Sequence, residues 1–219
     1  MALALLHTSP VHVPVFDALR DETHPGLELR HVVEERLLDR ARAEGPDAVA
    51  EDVAAVLRRA VAEGARAVLC TCSTIGAVAE AAGVGAPVLR VDRPMAAAAV
   101  AAGPRVVVLA ALESTLGPTA DLIREEADRA GRPVQVTTRL VEGAWARFEA
   151  GDAQAYATLI ASAADEVAAA DAIVLAQASM APAQRLTTTA VPVLSSPRLG
   201  LAAGAQAGDW TGEPGYAGQ

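Results

Sequence analysis

Lysine and asparagine are absent from this chain of 219 residues, and its 18 basic residues are all arginine. Without lysine there is no Schiff base to pyridoxal phosphate and no amine nucleophile. A P-loop, whose lysine reaches the phosphates, is excluded as well. Without asparagine there is no acceptor for N-glycosylation. Cysteine is scarce: Cys70 and Cys72 are the only two. A C-x-C pair does not easily bridge itself, and no second pair exists to complete a zinc site. Reduced thiols in the cytoplasm are the expectation.

Aromatic residues make up only 3% of the chain, so the core must be aliphatic, built from the dominant Ala and Val. No apolar run approaches the roughly 20 residues that span a bilayer, and MALALLHTSP lacks the basic start of a signal peptide. No membrane partner is expected. Basic clusters are missing too, and the net charge is −9. Nucleic acid, which demands a positive footprint, is therefore not an expected partner. The histidines and acids show no metal-ligand spacing, so no metal is expected. The Gly-rich stretch AAGVGAP at 81–87 lacks the strand–GxGxxG–helix context of a dinucleotide site.

What is present is a rhythm of short apolar runs and longer helical patterns. Strands are expected over 2–6, 27–33, 67–71 and 88–91. Helices are expected from near Pro14, over 47–63 and over about 75–82. The second of these carries Val49, Val53, Val56, Leu57, Ala60 and Val61 at 3.6-residue spacing, with Gly64 as its stop. The rhythm then restarts: strands over 106–110, 134–141, 172–176 and 191–194, and helices over 118–130, 152–169 and 181–187. HVVEERLL at 31–38 matches RLVEGAWA at 139–146, and ARAVLCTCST at 65–74 matches ADAIVLAQAS at 170–179. The fold expected is α/β, two pseudo-symmetric lobes, each with a parallel sheet of about four strands flanked by helices. The first lobe takes residues 1–94 plus 195–205, the second 95–194, and 206–219 (QAGDWTGEPGYAGQ) reads as a flexible tail.

Ligands of open parallel sheets bind beyond the carboxyl ends of the strands. Two facing lobes would direct His7, Thr8 and Ser9; Cys72, Ser73 and Thr74; Glu113, Ser114 and Thr115; Gln177, Ala178 and Ser179; and Ser195 and Ser196 into one cleft. Small hydroxyls beside helix N-termini suit a small carboxylate. Cys70, within the strand, is expected to pack in the core, with Met180 beneath the second motif. His12, His24 and His31 read as surface residues.

The motifs TCST at 71–74 and AQASMA at 176–181, with LAALESTLGPT at 109–119 and RVDRPM at 90–95, resemble the aspartate/glutamate/hydantoin racemase superfamily over residues 1–200. That superfamily includes maleate isomerases and arylmalonate decarboxylases. The resemblance implies a cofactor-independent enzyme acting at the carbon α to a carboxylate. It also implies that SSPRLGLAAGA at 195–205 returns to the first lobe. In two-cysteine members one thiolate removes the α-proton and the other thiol protonates the opposite face. A helix N-terminus after Cys72 would stabilise such a thiolate.

Here Cys72 fills the first cysteine position, but Gln177 fills the second, and an amide is not a proton carrier. Glu113 and His7 are the candidates to replace the missing base. Arylmalonate decarboxylases resemble racemases with a single cysteine in the second lobe. A lone thiol in the first lobe implies the opposite facial selectivity. Three readings follow. The first is a racemase or isomerase using Cys72, with Gln177 as its partner. The second is a decarboxylase protonating on one face. The third is a carboxylate-binding protein without turnover. Substrate contacts are expected from Thr8, Ser9, Ser73, Thr74, Ser114, Thr115, Ala178 and Ser179, and a homo-oligomer is compatible with all three readings.

Overall fold

The computed structural model describes residues 2–209. The first sheet is built from β1 (Ala2–His7), β2 (Glu28–Val33), β3 (Ala65–Cys70) and β4 (Val88–Arg90). The second uses β5 (Arg105–Ala110), β6 (Gln135–Leu140), β7 (Ala172–Leu175) and β8 (Val193–Ser195). The strand orders are β2-β1-β3-β4 and β6-β5-β7-β8, the same permutation twice, and every pairing is parallel. All six residues of β1 are buried, as an inner strand covered on both faces requires. Edge strands β2 and β6 are largely exposed.

The helices are α1 (Val13–Thr23), α2 (Glu35–Glu44), α3 (Ala50–Ala62), α4 (Ser73–Glu80), α5 (Arg93–Ala102), α6 (Glu113–Ala130), α7 (Ala144–Glu149), α8 (Ala153–Asp165) and α9 (Ser196–Asp209). Among the described residues none is long and apolar enough to cross a membrane. The helix expected over 47–63 opens as a 3-10 turn, Pro46–Val49, which Pro46 starts and Gly45 precedes at φ 93°. The helix expected from Pro118 begins at Glu113, so Pro118 lies inside α6. Helix α8 ends at Asp165, short of the expected 169; Asp152 caps its start by accepting the Ala155 N–H at 3.0 Å. In place of the helix expected over 181–187 there is a 3-10 helix, Ala178–Arg185, with Pro182 inside it.

Each sheet lends its last helix to the other. Helix α5, which follows β4, sends Met95, Ala96, Ala99 and Val100 into the cluster with Val106, Val108, Ala172 and Val174 of the second sheet. Helix α9, which follows β8, returns Leu201 to Leu3, Leu5 and Leu69 of the first. Two glycines permit that return. A Cβ on Gly200 would meet the Val91 backbone oxygen at 2.5 Å, and one on Gly204 would meet Leu3 at 2.9 Å. Helix α9 continues through Asp209, so 206–209 are helical where a tail was expected; residues 210–219 lie outside the described residues. The exchange of helices presses the two sheets together and brings their carboxyl ends to one cavity.

Candidate active site

The inner strands β1, β3, β5 and β7 end at this cavity, which has a volume of about 390 Å³. Thr8 and Ser9 line it after β1, and Thr71, Cys72, Ser73 and Thr74 after β3. Leu112 and Thr115 line it after β5, and Gln177, Ala178 and Ser179 after β7. Ser114 does not line it: the next position around α6 from Thr115 turns by about 100°, and Ser114 is exposed. Glu113 is likewise exposed and outside the lining. Ser195 and Ser196 are buried away from it, with Ser195 donating to Gln184 Oε1 at 2.6 Å.

Cys72 is the N-cap of α4, half-buried, with extended backbone (φ −109°, ψ 117°). The first-turn N–H groups of α4 have no helical acceptor and face the same end of the helix. Cys70 is fully buried in the aliphatic cluster of the first sheet, against which the half-buried Cys72 packs. Its Sγ donates to the Cys72 carbonyl at 3.6 Å. Burial, reinforced by the neighbouring Cys72, drives the Cys70 thiol far above its ordinary range and keeps it protonated.

The two motifs are joined directly. Ser73 Oγ donates to the Ala176 carbonyl at 3.1 Å, tying the residue after Cys72 to the residue before Gln177. Gln177 Oε1 accepts the Ala111 N–H at 2.7 Å. Only the carbonyl oxygen can accept, so this bond fixes the amide orientation and leaves the –NH2 to the cavity. Ser179 shares a 2.9 Å hydrogen bond with the Tyr156 hydroxyl.

Beneath the first motif lies a buried relay. Thr71 Oγ1 donates to the Leu6 carbonyl at 3.1 Å, so it accepts from His7 Nδ1–H at 2.8 Å. His7 Nε2 then accepts from His31 Nδ1 at 2.8 Å, and His31 Nε2 faces Asp17 at 3.3 Å. Burial, followed by repulsion from His31 and His12, lowers the His7 pKa from 6.5 to about 3. His7 is sealed under Thr71 and outside the cavity lining, so neither sequence candidate for the missing base, His7 or Glu113, meets the cavity. His12 does. The 3-10 turn Pro10–His12 folds it inward, against the expectation of a surface residue, and burial lowers its pKa to about 4. His31 is drawn half-buried into the relay in the same way.

The walls come from α2 and α7, the helices of the matched segments 31–38 and 139–146. Helix α2 contributes Glu35, Leu38, Asp39 and Arg42, and α7 contributes Trp145 and Phe148. Arg42 lies over the Trp145 ring at 5.7 Å. Trp145 stacks on Phe148 at 4.8 Å, and Phe148 meets Tyr156 at 5.3 Å. Sequence reasoning noted this repeat without placing it at the cleft. The signal available was that the repeat follows the second strand of each lobe, which in this topology brings both copies to the cavity.

A family profile described as Asp/Glu/hydantoin racemase matches residues 11–204. The chain belongs to that family. No curated protein sequence is detectably similar to it. Among solved structures, the Picrophilus torridus aspartate racemase matches with a TM-score of 0.73 at 14% identity, covering 94% of each chain. An arylmalonate decarboxylase matches with a TM-score of 0.63 at 18% identity, covering 99% of this chain and 97% of the other. The allantoin racemase from Pseudomonas fluorescens matches with a TM-score of 0.64 at 20% identity, covering 94% of this chain and 90% of the other. At these identities the racemase-family likeness is one of fold: two parallel sheets facing one cleft.

Proposed function

We propose that the protein is a cytosolic, cofactor-independent enzyme that transfers a proton at the carbon α to the carboxylate of a small acid or amino acid. Cys72 is the proton-transfer group. The observation that carries this reading is the position of Cys72: N-cap of α4, in the cavity wall, and bonded through its neighbour Ser73 to the matched motif at Gln177. The carboxylate sits among the hydroxyls of Thr8, Ser9, Thr74 and Thr115, the free N–H groups of α4, and the Gln177 –NH2. These donors are fixed before substrate arrives. They stabilise the charge that moves onto the carboxylate oxygens when the α-carbon becomes carbanionic. The thiol then supplies or removes the proton on its own face.

A second reading, loss of carbon dioxide followed by protonation on one face, is favoured by one observation. The Gln177 carbonyl is held by Ala111 and its –NH2 carries no transferable proton at neutral pH, so this side chain offers nothing to the second face. Incubation of D2O solutions with chiral small carboxylates separates the readings. Cys72-dependent deuterium at the α-carbon of recovered substrate supports racemisation. Release of carbon dioxide with deuterium in the product supports decarboxylation. Full activity in a Cys72→Ser variant overturns both, and neither exchange nor release across amino, hydroxy and aryl acids favours simple binding.

A further inference from the structure

Gln177 leaves one face of the reacting carbon without a proton carrier. We infer that His12 fills that place, a second catalytic residue facing Cys72 across the carbon α to the bound carboxylate. The inference rests on the reading that Cys72 transfers a proton.

Three observations place His12 there. It lines the same cavity as Cys72 and Gln177. Its ring lies 6.1 Å from that of His7 and makes no hydrogen bond to any described residue, so both nitrogens are available to a ligand. It also enters from the Gln177 side. His12 immediately precedes α1, and Val15, Ala18 and Leu19 of α1 share a groove with Ala181, Pro182 and Gln184, the segment that follows Gln177. Cys72 instead heads α4, which packs against α6 of the other sheet. The two side chains therefore approach the cavity from opposite flanks.

The ionisation state suits the role. Burial holds His12 neutral at physiological pH, so it begins as a base. In one direction the α-C–H bond breaks, its electron pair passes into the enediolate, and the proton goes to a His12 nitrogen. The electron pair then returns to carbon to form a new bond to the Cys72 S–H proton on the opposite face, leaving imidazolium and thiolate. In the reverse direction the thiolate takes the proton and the imidazolium gives one. The imidazolium forms in a cavity also lined by Glu35 and Asp39, whose carboxylates offset its charge. With His12 in this role, the missing second thiol no longer restricts the enzyme to one face.

Bromoacetate tests the arrangement without knowledge of the substrate. Its carboxylate matches the proposed floor, and its α-carbon carries a leaving group. Attack forms an S–C or N–C bond, breaks C–Br and releases bromide. In the unaltered protein Cys72 should be carboxymethylated. In Cys72→Ser the label should move to His12, about tenfold or more faster than to His24 or His31. In His12→Gln, Cys72 labelling should persist and the fold, read by circular dichroism, should be unchanged. A Cys72→Ser protein in which His12 reacts no faster than His24 and His31 overturns the assignment of His12 while leaving that of Cys72 intact. Absence of Cys72 labelling in the unaltered protein overturns both.

Discussion

After β3 the chain turns through Cys72 into an α-helix of 8 residues; after β7 it turns through Gln177 into a 3-10 helix that contains Pro182. Both turns leave the inner strand at the same place in the same sheet order, and both cap residues are extended, at φ −109° and −115°. Backbone symmetry is thus retained while chemistry is not. Helix α4 aligns its peptide dipoles along one axis and presents its free N–H groups as a set. The 3-10 segment has poorer hydrogen-bond geometry, and its side chain at the cap is engaged by Ala111. In the proposed function the first turn holds the reactive group and the second a fixed donor. Duplicated folds diverge in this way when one residue at a strand end changes and its neighbours keep their packing.

The comparison breaks most sharply at Cys72. Cys72→Ser should lower α-proton exchange by about 10³-fold, within the range for a positioned general acid–base, with thermal stability nearly unchanged because the site is half-buried. Deuterium incorporation by mass spectrometry measures it, and a loss under tenfold would remove the distinction between the two turns.

Acid should act on the first turn before the second. His7 and His12 are held below their ordinary 6.5, at about 3 and about 4. The unfolded chain therefore takes up protons that the folded chain refuses, and stability rises with pH through this window. Stability should be nearly whole above about pH 7.5 and fall by roughly 4 kcal/mol between pH 7.5 and 5. His31, beside Asp17, is the titratable neighbour that completes the relay. Urea titrations at the two pH values, repeated in His7→Gln, test this; the variant should show a distinctly shallower slope. Amide exchange at pH 5 should rise around Thr71 sooner than around Gln177.

The second turn is probed by Gln177→Ala. The loss of a fixed donor should reduce exchange by roughly tenfold to hundredfold, less than the loss of the thiol. An equal or larger fall would make Gln177 the more important of the two. Ser73→Ala severs the bond between the turns and leaves the Ala176 carbonyl without its donor. It should cost about 1–2 kcal/mol of stability, read as a urea midpoint shift, with a smaller effect on exchange.

The strand ends were legible because apolar runs stop abruptly at small polar residues: LHTS, CTCST, ALEST and AQAS. The separation of Cys70 from Cys72 was legible from position alone, one within the strand and one past its end. Helix α2 was not, because ERLLDRARAE is mostly charged and buries only Leu37 and Ala41. Helix α5 hid in an alanine run after Pro94, and α7 has just 6 residues. His12 was missed for a different reason. Its inward direction depends on the 3-10 turn begun by Pro10, and single-residue orientation at a turn is a tertiary property. The same holds for the cleft walls, where neither Arg42 nor Trp145 has meaning until two helices far apart in sequence face each other.

Those walls supply the smallest expected effect. Helix α2 carries charge and α7 carries aromatic rings, although they occupy matched positions in the two halves. Trp145, Phe148 and Tyr156 form a row of touching rings, the first two stacked and the last tilted, in a chain with few aromatic residues, and Arg42 covers its open end from the other lobe. An exposed cation–π contact contributes about 0.5–1 kcal/mol, so Arg42→Ala should lower stability by that amount and leave Cys72 alkylation by iodoacetamide unchanged. Arg42→Lys keeps the charge but loses the planar face that lies over the indole, and should recover only part of the difference. Trp145→Ala should cost more, because it also removes the stack on Phe148 and the packing against the second core, and the double variant should lose no more than this single one plus a few tenths of a kcal/mol. Simple additivity of the two would show that α2 and α7 meet at the cavity without energetic coupling.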